Sequence, residues 1–151
     1  MPLRVEGLTV CIAGRAVVED VSFELPDAAR LAMIGQSGSG KTMTALAILG
    51  LTPPGAQVSG SIKLGGRELA GAPDRELAQL RGRAIGTVFQ DPLTALDPIR
   101  RLGAQVADAL SNHYRLSRGE RRRRAAQMLD QVGLAGAEGF ARRYPHQLSG
   151  G

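Results

Sequence analysis

The sequence predicts an α/β fold with an antiparallel β layer, a glycine-rich loop that leads into a buried helix, and a helical subdomain. Three observations indicate this fold. Short β-branched runs separated by turn residues fill most of the first part of the chain. A largely apolar segment at residues 41–51 directly follows the glycine-rich loop. Beyond Pro98, apolar residues recur at helical rather than strand spacing.

Three strands are predicted ahead of the glycine-rich loop, at residues 3–10, 17–25 and 30–34. Apolar and β-branched side chains alternate or cluster in each run, and turn residues such as Gly14 separate the runs. After the loop, Met, Ala, Leu and Ile follow one another over residues 41–51, and a glycine and two prolines then end the segment. This pattern is typical of a buried helix with its stop signals.

The next elements are a strand at residues 57–64, a short helix at residues 74–80 and a short apolar strand at residues 85–89. The pattern then becomes helical, with Ser117 as the predicted cap of an arginine-bearing helix that Gly133 ends. We therefore predict a β layer and nucleotide-binding core at residues 1–90 and a helical subdomain at residues 91–151.

The composition fits one globular domain, because 43% of the 151 residues are hydrophobic and only 22% are charged. The longest apolar stretch, residues 45–51, is far below the roughly 18 residues that cross a bilayer, so we expect membrane association only through a partner. Cys11 is the single cysteine, which excludes an internal disulfide or a cysteine metal cluster and favours the cytoplasm.

The formal charge of +5 and the run Arg121, Arg122, Arg123 and Arg124 raise nucleic acid or an anionic membrane as partners. A run of four residues winds around a whole helical turn, so these side chains cannot all face one phosphate backbone. The apolar residues that follow form a stripe on the same helix. We favour a solvated helix face that packs on its own domain, and we expect no nucleic acid partner.

The strongest chemical signal satisfies the P-loop pattern of glycine, four residues, glycine, lysine and serine or threonine. Its residues are Gly35, Gln36, Ser37, Gly38, Ser39, Gly40, Lys41 and Thr42. Glycines let backbone N–H groups approach phosphate oxygens at the positive end of a helix. Lys41 is expected to contact the β- and γ-phosphates, and the Thr42 hydroxyl is expected to bind Mg²⁺. The pattern predicts a nucleotide site without naming the reaction.

Two further segments carry a resemblance to a known family. Residues 88–92, which contain Gln90, resemble the Q-loop of ABC ATPases, and residues 148–151 resemble the start of their signature motif. The resemblance implies that Gln90 reaches the Mg²⁺ ion and the attacking water and senses the permease. It also implies that Ser149, Gly150 and Gly151 contact the ATP held by a second subunit.

Longer strings at residues 90–98 and 144–151 are similar to oligopeptide, dipeptide and nickel importer ATPases. This resemblance implies an ATP- and Mg²⁺-dependent subunit that powers import of peptides, nickel or a related small solute. Its implied partners are a second, different ATPase subunit, two membrane permeases and, indirectly, a substrate-binding protein. The implied location is the cytoplasmic face of the cell membrane.

The sequence departs from the family at two places. Residues 10–14 contain no aromatic side chain to stack on adenine, which leaves apolar contact from Cys11 or Ile12. The sequence also stops at the signature motif, before the family's Walker B strand, catalytic glutamate and switch histidine. We therefore expect an incomplete core, poor solubility and no hydrolysis by these 151 residues alone.

Two alternatives stay open at this point. The first is a soluble ABC protein that acts on nucleic acid or the ribosome, which only the basic charge favours. The second is an inactive truncated remnant, whose sequence over these residues would look the same. His146 precedes the family's switch position and is expected to be a structural residue leading into the signature loop. His113 has no evident partner in the sequence, and no role is assigned to it.

Overall fold

The computed structural model describes residues 1–90, 95–134 and 137–148, without the side chains of residues 137 and 138. The chain divides into two compact units, Met1–Arg81 and Gly82–Gly151. The predicted domain division at residue 90 stays a prediction. Within the described residues, no helix combines the length and the apolar composition that crossing a membrane requires.

The first unit is built on an antiparallel sheet with the strand order β2-β1-β3-β4. Its strands are β1 (Leu3–Ile12), β2 (Arg15–Leu25), β3 (Gln57–Leu64) and β4 (Arg67–Glu68). The predictions for the first three are confirmed within two residues at each end. The strand β4 was not predicted, because two residues are too few to show a hydrophobic period.

Burial along β1 follows the irregular pairing of this strand. Val5, Leu8 and Val10 are buried, although residues 5 and 8 would point to opposite faces of a regular strand. The register with β2 shifts between Val5 and Leu8, so the backbone bulge restores a single buried face. Ile62 of β3 lies opposite Val5 and is also completely buried.

Two helices complete the first unit, α1 (Lys41–Leu49) and α2 (Asp74–Leu80), as predicted. Gly50 ends α1 in the left-handed conformation at φ 63°, and its N–H donates to the carbonyl of Ala47. A Cβ atom at Gly50 would lie 2.3 Å from the Cδ1 atom of Leu77, which is buried in α2. Glycine at this position therefore allows both the helix end and the close approach of α2.

The second unit contains α3 (Leu102–Ser111), α4 (Arg118–Gln131) and α5 (Ala137–Ala141), followed by a 3-10 turn at Pro145–Gln147. Leu102, Leu110, Ala125 and Leu129 are buried between the helices. The predicted cap is confirmed, because Ser117 and Glu120 form a reciprocal capping box at the start of α4.

Two predicted strands are wrong. Residues 30–34 and 86–89 have no regular structure, and Ile85 forms only an isolated bridge. Their apolar side chains are exposed, with Ile34 at 94% and Val88 at 92%. A strand is stabilised by hydrogen bonds to a neighbouring strand. The sheet of the described residues pairs neither segment, so local β propensity alone does not make either one a strand.

Candidate nucleotide-binding site

The P-loop residues lie directly before α1, as the sequence predicts. Residues 35–39 are exposed and form a turn in which the Ser39 N–H donates to the Gln36 carbonyl at 3.2 Å. Lys41 is the first residue of the helix, and Gly40 is its cap. The loop-to-helix context of the motif is therefore present, whereas the strand predicted ahead of the loop is not.

The Lys41 side chain turns back over the loop. Its ammonium group donates to the carbonyls of Gly35 at 2.8 Å and Gln36 at 2.7 Å, and to the Ser39 hydroxyl at 3.2 Å. A lysine ammonium has three donors, so these three acceptors satisfy it completely. The positive charge therefore lies inside the curve of the loop. There, the oxygen atoms of a bound phosphate would replace the loop acceptors of the Lys41 ammonium group.

Two glycines of the motif lie at close contacts. A Cβ atom at Gly40 would lie 2.6 Å from the carbonyl oxygen of Val17 in β2, and its φ of +84° is a conformation that favours glycine. A Cβ atom at Gly35 would lie 2.6 Å from the Ser39 hydroxyl oxygen. At Gly40 the loop therefore packs against β2 in a way that a larger residue would prevent, whereas at Gly35 rotation of the Ser39 side chain would make room for a Cβ atom.

Thr44 holds the end of the loop through hydrogen bonds to Gly40. The sequence analysis did not identify this residue. It is the buried polar residue of α1, and both its N–H (2.8 Å) and its hydroxyl (3.0 Å) donate to the Gly40 carbonyl. The hydroxyl lies in a helix that is otherwise rich in alanine, leucine and isoleucine, which is the signal that could have identified it. It holds the backbone of the last loop residue in place.

These residues fit a nucleotide polyphosphate and its magnesium ion. The start of α1 offers helix N–H groups, Lys41 offers a charge beside the loop, and Thr42 is exposed at the second helical position. The structure holds no acidic residue in the first turn of α1 that would repel an anion. This arrangement is suited to phosphate binding rather than to nucleophilic chemistry by the loop itself.

Residues 18–151 match the family described as ABC transporter. The chain belongs to the ABC transporter family. The ATP-binding cassette MJ0796, solved as a dimer bound to ADP and Pi, has the same fold with a TM-score of 0.81 at 28% identity. The alignment covers 98% of this chain and 63% of that chain. The predicted family and its ABC ATPase fold are confirmed.

Curated relatives of this ABC transporter chain include ATP-binding proteins for peptides. The oligopeptide transport ATP-binding protein OppD of Mycobacterium bovis is 45% identical over 135 residues, which are 89% of this chain and 22% of the relative. OppD of Salmonella typhimurium is 40% identical over 134 residues, which are 89% of this chain and 40% of the relative. The chain thus spans less than half the length of these relatives.

The other predicted ABC motifs lie in the second unit. Gln90 is exposed in a bend, and residues 91–94 lie outside the described part of the chain. Ser149, Gly150 and Gly151 also lie outside it. The structure therefore brings together the P-loop residues 35–42, and the roles of Gln90 and of the signature residues stay predictions.

Both histidines are engaged by their neighbours. The His146 ring stacks on Tyr144 with a centroid distance of 5.7 Å, within the 3-10 turn before the signature residues. The His113 carbonyl accepts a hydrogen bond from Arg83, and its ring leaves no space for a Cβ atom at Gly82. The ring stacking supports the structural role expected for His146, and His113 keeps no assigned role.

Proposed function

We propose that the full-length protein binds ATP and Mg²⁺ through residues 35–42 and hydrolyses ATP to drive import of peptides, nickel or a related small solute. The observation that carries this proposal is the Lys41 ammonium group, held by the loop at the start of α1 in a chain of the ABC transporter family. That position places a fixed positive charge beside helix N–H groups, which is the requirement for polyphosphate binding.

The P-loop residues would make separate contacts with the phosphates and with Mg²⁺. The backbone N–H groups of the loop and of the first helical turn would surround the β-phosphate, and Lys41 would contact the β- and γ-phosphates. The Thr42 hydroxyl would be a ligand of Mg²⁺, together with Gln90. Held by these two residues, the ion would supply positive charge that offsets the negative charge developing during phosphoryl transfer.

The signature residues would act on a second subunit. The Ser149 hydroxyl and the N–H groups of Gly150 and Gly151 are small donors that fit against a γ-phosphate. In this proposal they close over the ATP of a paired and different ATPase subunit. Gln90 would link the site to the permease and position the attacking water.

The names of the relatives support the transport role. The relatives from Mycobacterium bovis and Salmonella typhimurium are oligopeptide transport ATP-binding proteins, and one from Lactococcus lactis is a dipeptide transport ATP-binding protein. We infer that the full-length protein works with two membrane permeases, and indirectly with a substrate-binding protein, at the cytoplasmic face of the membrane.

Substitution of Lys41 by alanine in the full-length protein tests the proposal. We expect peptide uptake and ATPase activity to fall by at least about 100-fold, because the phosphate charge loses its fixed partner. The matched control is Lys63→Ala, which removes the same charge from an exposed position in β3 and should retain both activities. Uptake that survives in the Lys41 variant would rule out the assigned role.

A second variant separates nucleotide binding from closure of the paired site. Ser149→Arg should abolish uptake by adding bulk and positive charge where the signature would meet the γ-phosphate. Binding of ATP to the isolated subunit should remain within about twofold of the unmodified protein, because the P-loop is untouched. Normal uptake by this variant would contradict a role of the signature residues in trans.

A further inference from the structure

The net charge of the chain lies entirely in its second unit. Residues 82–151 contain eleven arginines and six acidic residues, which leave a formal charge of +5. In residues 1–81, eight basic and eight acidic residues cancel. The P-loop is part of the neutral unit, so nucleotide binding there does not account for the concentration of arginines elsewhere.

A groove of about 840 Å³ in the second unit gathers many of these arginines. It is lined by residues of α3 and α4 and by the end of α5, with small side chains such as Ala107, Ala125 and Ala126 between them. Six arginines line it: Arg101, Arg118, Arg121, Arg122, Arg123 and Arg142. Its two carboxylates belong to Asp108 and Asp130, and Asp108 is already paired with Arg100 outside the groove.

None of the six groove arginines lies within salt-bridge distance of a carboxylate among the described side chains, although Asp108 and Asp130 line the same groove. Arg121 shows the consequence most clearly. Its Nη1 atom donates to the Ser111 hydroxyl at 2.7 Å, but its Nε atom is buried and has no acceptor among the described residues. A buried guanidinium N–H without a partner is costly, and a bound anion would satisfy it.

We propose that this groove binds a small phosphate-bearing anion with two or more negative charges. Guanidinium groups form paired hydrogen bonds with phosphate oxygens, and several of them around one cavity match a multiply charged ligand. The volume lies in the range of small-ligand sites. The alanines leave room for the ligand between the helices, which an extended surface for nucleic acid would not need.

The direct test is calorimetric binding of inorganic pyrophosphate to the full-length protein with the Lys41→Ala substitution, which weakens the P-loop as a competing site. Addition of Arg122→Gln and Arg123→Gln should weaken binding by at least about tenfold, since each removes a charged donor. Both side chains are exposed, so their loss should not unfold the protein. Arg121→Gln should give a similar loss, with folding checked by the melting temperature.

The matched control is the pair Arg115→Gln and Arg143→Gln, which are exposed positions of the same unit that do not line the groove. This pair makes the same change in charge and should weaken pyrophosphate binding by no more than about twofold. An equal loss of pyrophosphate affinity in both pairs of variants would indicate a diffuse electrostatic effect of the net charge, and it would overturn the proposal. Loss of pyrophosphate binding on Lys41→Ala alone would assign the ligand to the P-loop and also overturn it.

Nucleic acid is the competing class of ligand, and a separate binding measurement distinguishes it from a small anion. A single-stranded oligonucleotide that binds at least about tenfold more tightly than pyrophosphate, with steep salt dependence, would replace the proposed site with an extended surface. The same oligonucleotide should bind no better than pyrophosphate if the groove takes a small anion. The outcome of this comparison of ligands does not depend on whether Lys41 is required for transport.

Discussion

The strand β1 and the segment at residues 30–34 have similar apolar content but opposite environments. In β1, Leu8 and Val10 are completely buried between two hydrogen-bonded neighbours. In residues 30–34, Leu31, Met33 and Ile34 are exposed, and no described strand pairs with the segment. A partner strand, more than the local residue preference, therefore decides whether such a segment becomes part of a sheet.

The largest difference between the two regions should come from apolar truncation. Leu8→Ala should lower the free energy of unfolding of the chain by about 2–5 kcal/mol, because it leaves a cavity under the sheet. Ile34→Ala is the matched change at an exposed position and should cost no more than about 0.5 kcal/mol. Urea unfolding measures both values, and an equal cost would mean that residues 30–34 are packed like β1.

A smaller difference is expected from adding a methyl group to one glycine in each kind of segment. Gly60 of β3 has a φ of +95°, and a Cβ atom there would lie 2.5 Å from the Gly7 carbonyl oxygen. Gly60→Ala should therefore cost about 1–3 kcal/mol.

The control for this change is Gly86→Ala in the irregular segment at residues 86–89. Gly86 has no atom within 4 Å of an added Cβ and no positive φ, so the substitution should be neutral or stabilise by up to about 1 kcal/mol. Thermal unfolding of the two variants gives the comparison. Similar melting temperatures for both would contradict the bulge contact between Gly60 and Gly7.

The smallest expected effect concerns Glu68, which belongs to the two-residue strand β4 at the edge of the sheet. Desolvation opposes ionisation there, but the Ser61 hydroxyl and the N–H groups of Ile62 and Ala70 donate to the carboxylate and hold the pKa of Glu68 below its usual 4.5. Its contribution to stability should be present above pH 4.5 and lost as the pH falls through the lower pKa of the folded state.

Comparison of the unmodified chain with Glu68→Gln at pH 7 and pH 3 measures this contribution. Because the carboxylate is largely solvent-exposed, the pH-dependent difference in unfolding free energy should be less than about 1 kcal/mol. Glu19→Gln, an exposed change in β2, serves as the control. An advantage of the carboxylate that grows towards pH 3 would contradict the direction of the pKa shift.

Most helices and the phosphate loop could be predicted, because their signals are local. Ser117 and Glu120 cap α4 across three residues, and Gly50 ends α1 within one turn. Lys41 follows a recognisable glycine pattern. The role of Thr44 under the loop was not predicted, because a single threonine in an apolar helix has many possible partners.

The amino-acid sequence is enough to identify the phosphate-binding motif, the caps of its helices and the family to which the chain belongs, because each depends on residues close together in the chain. Packing in the tertiary structure determines which apolar runs become strands, how β1 bulges to keep one buried face, and how the arginines of α4 meet Arg101 and Arg142 around one groove. Pairing and packing join residues far apart in the chain, and a local pattern carries no information about the partner.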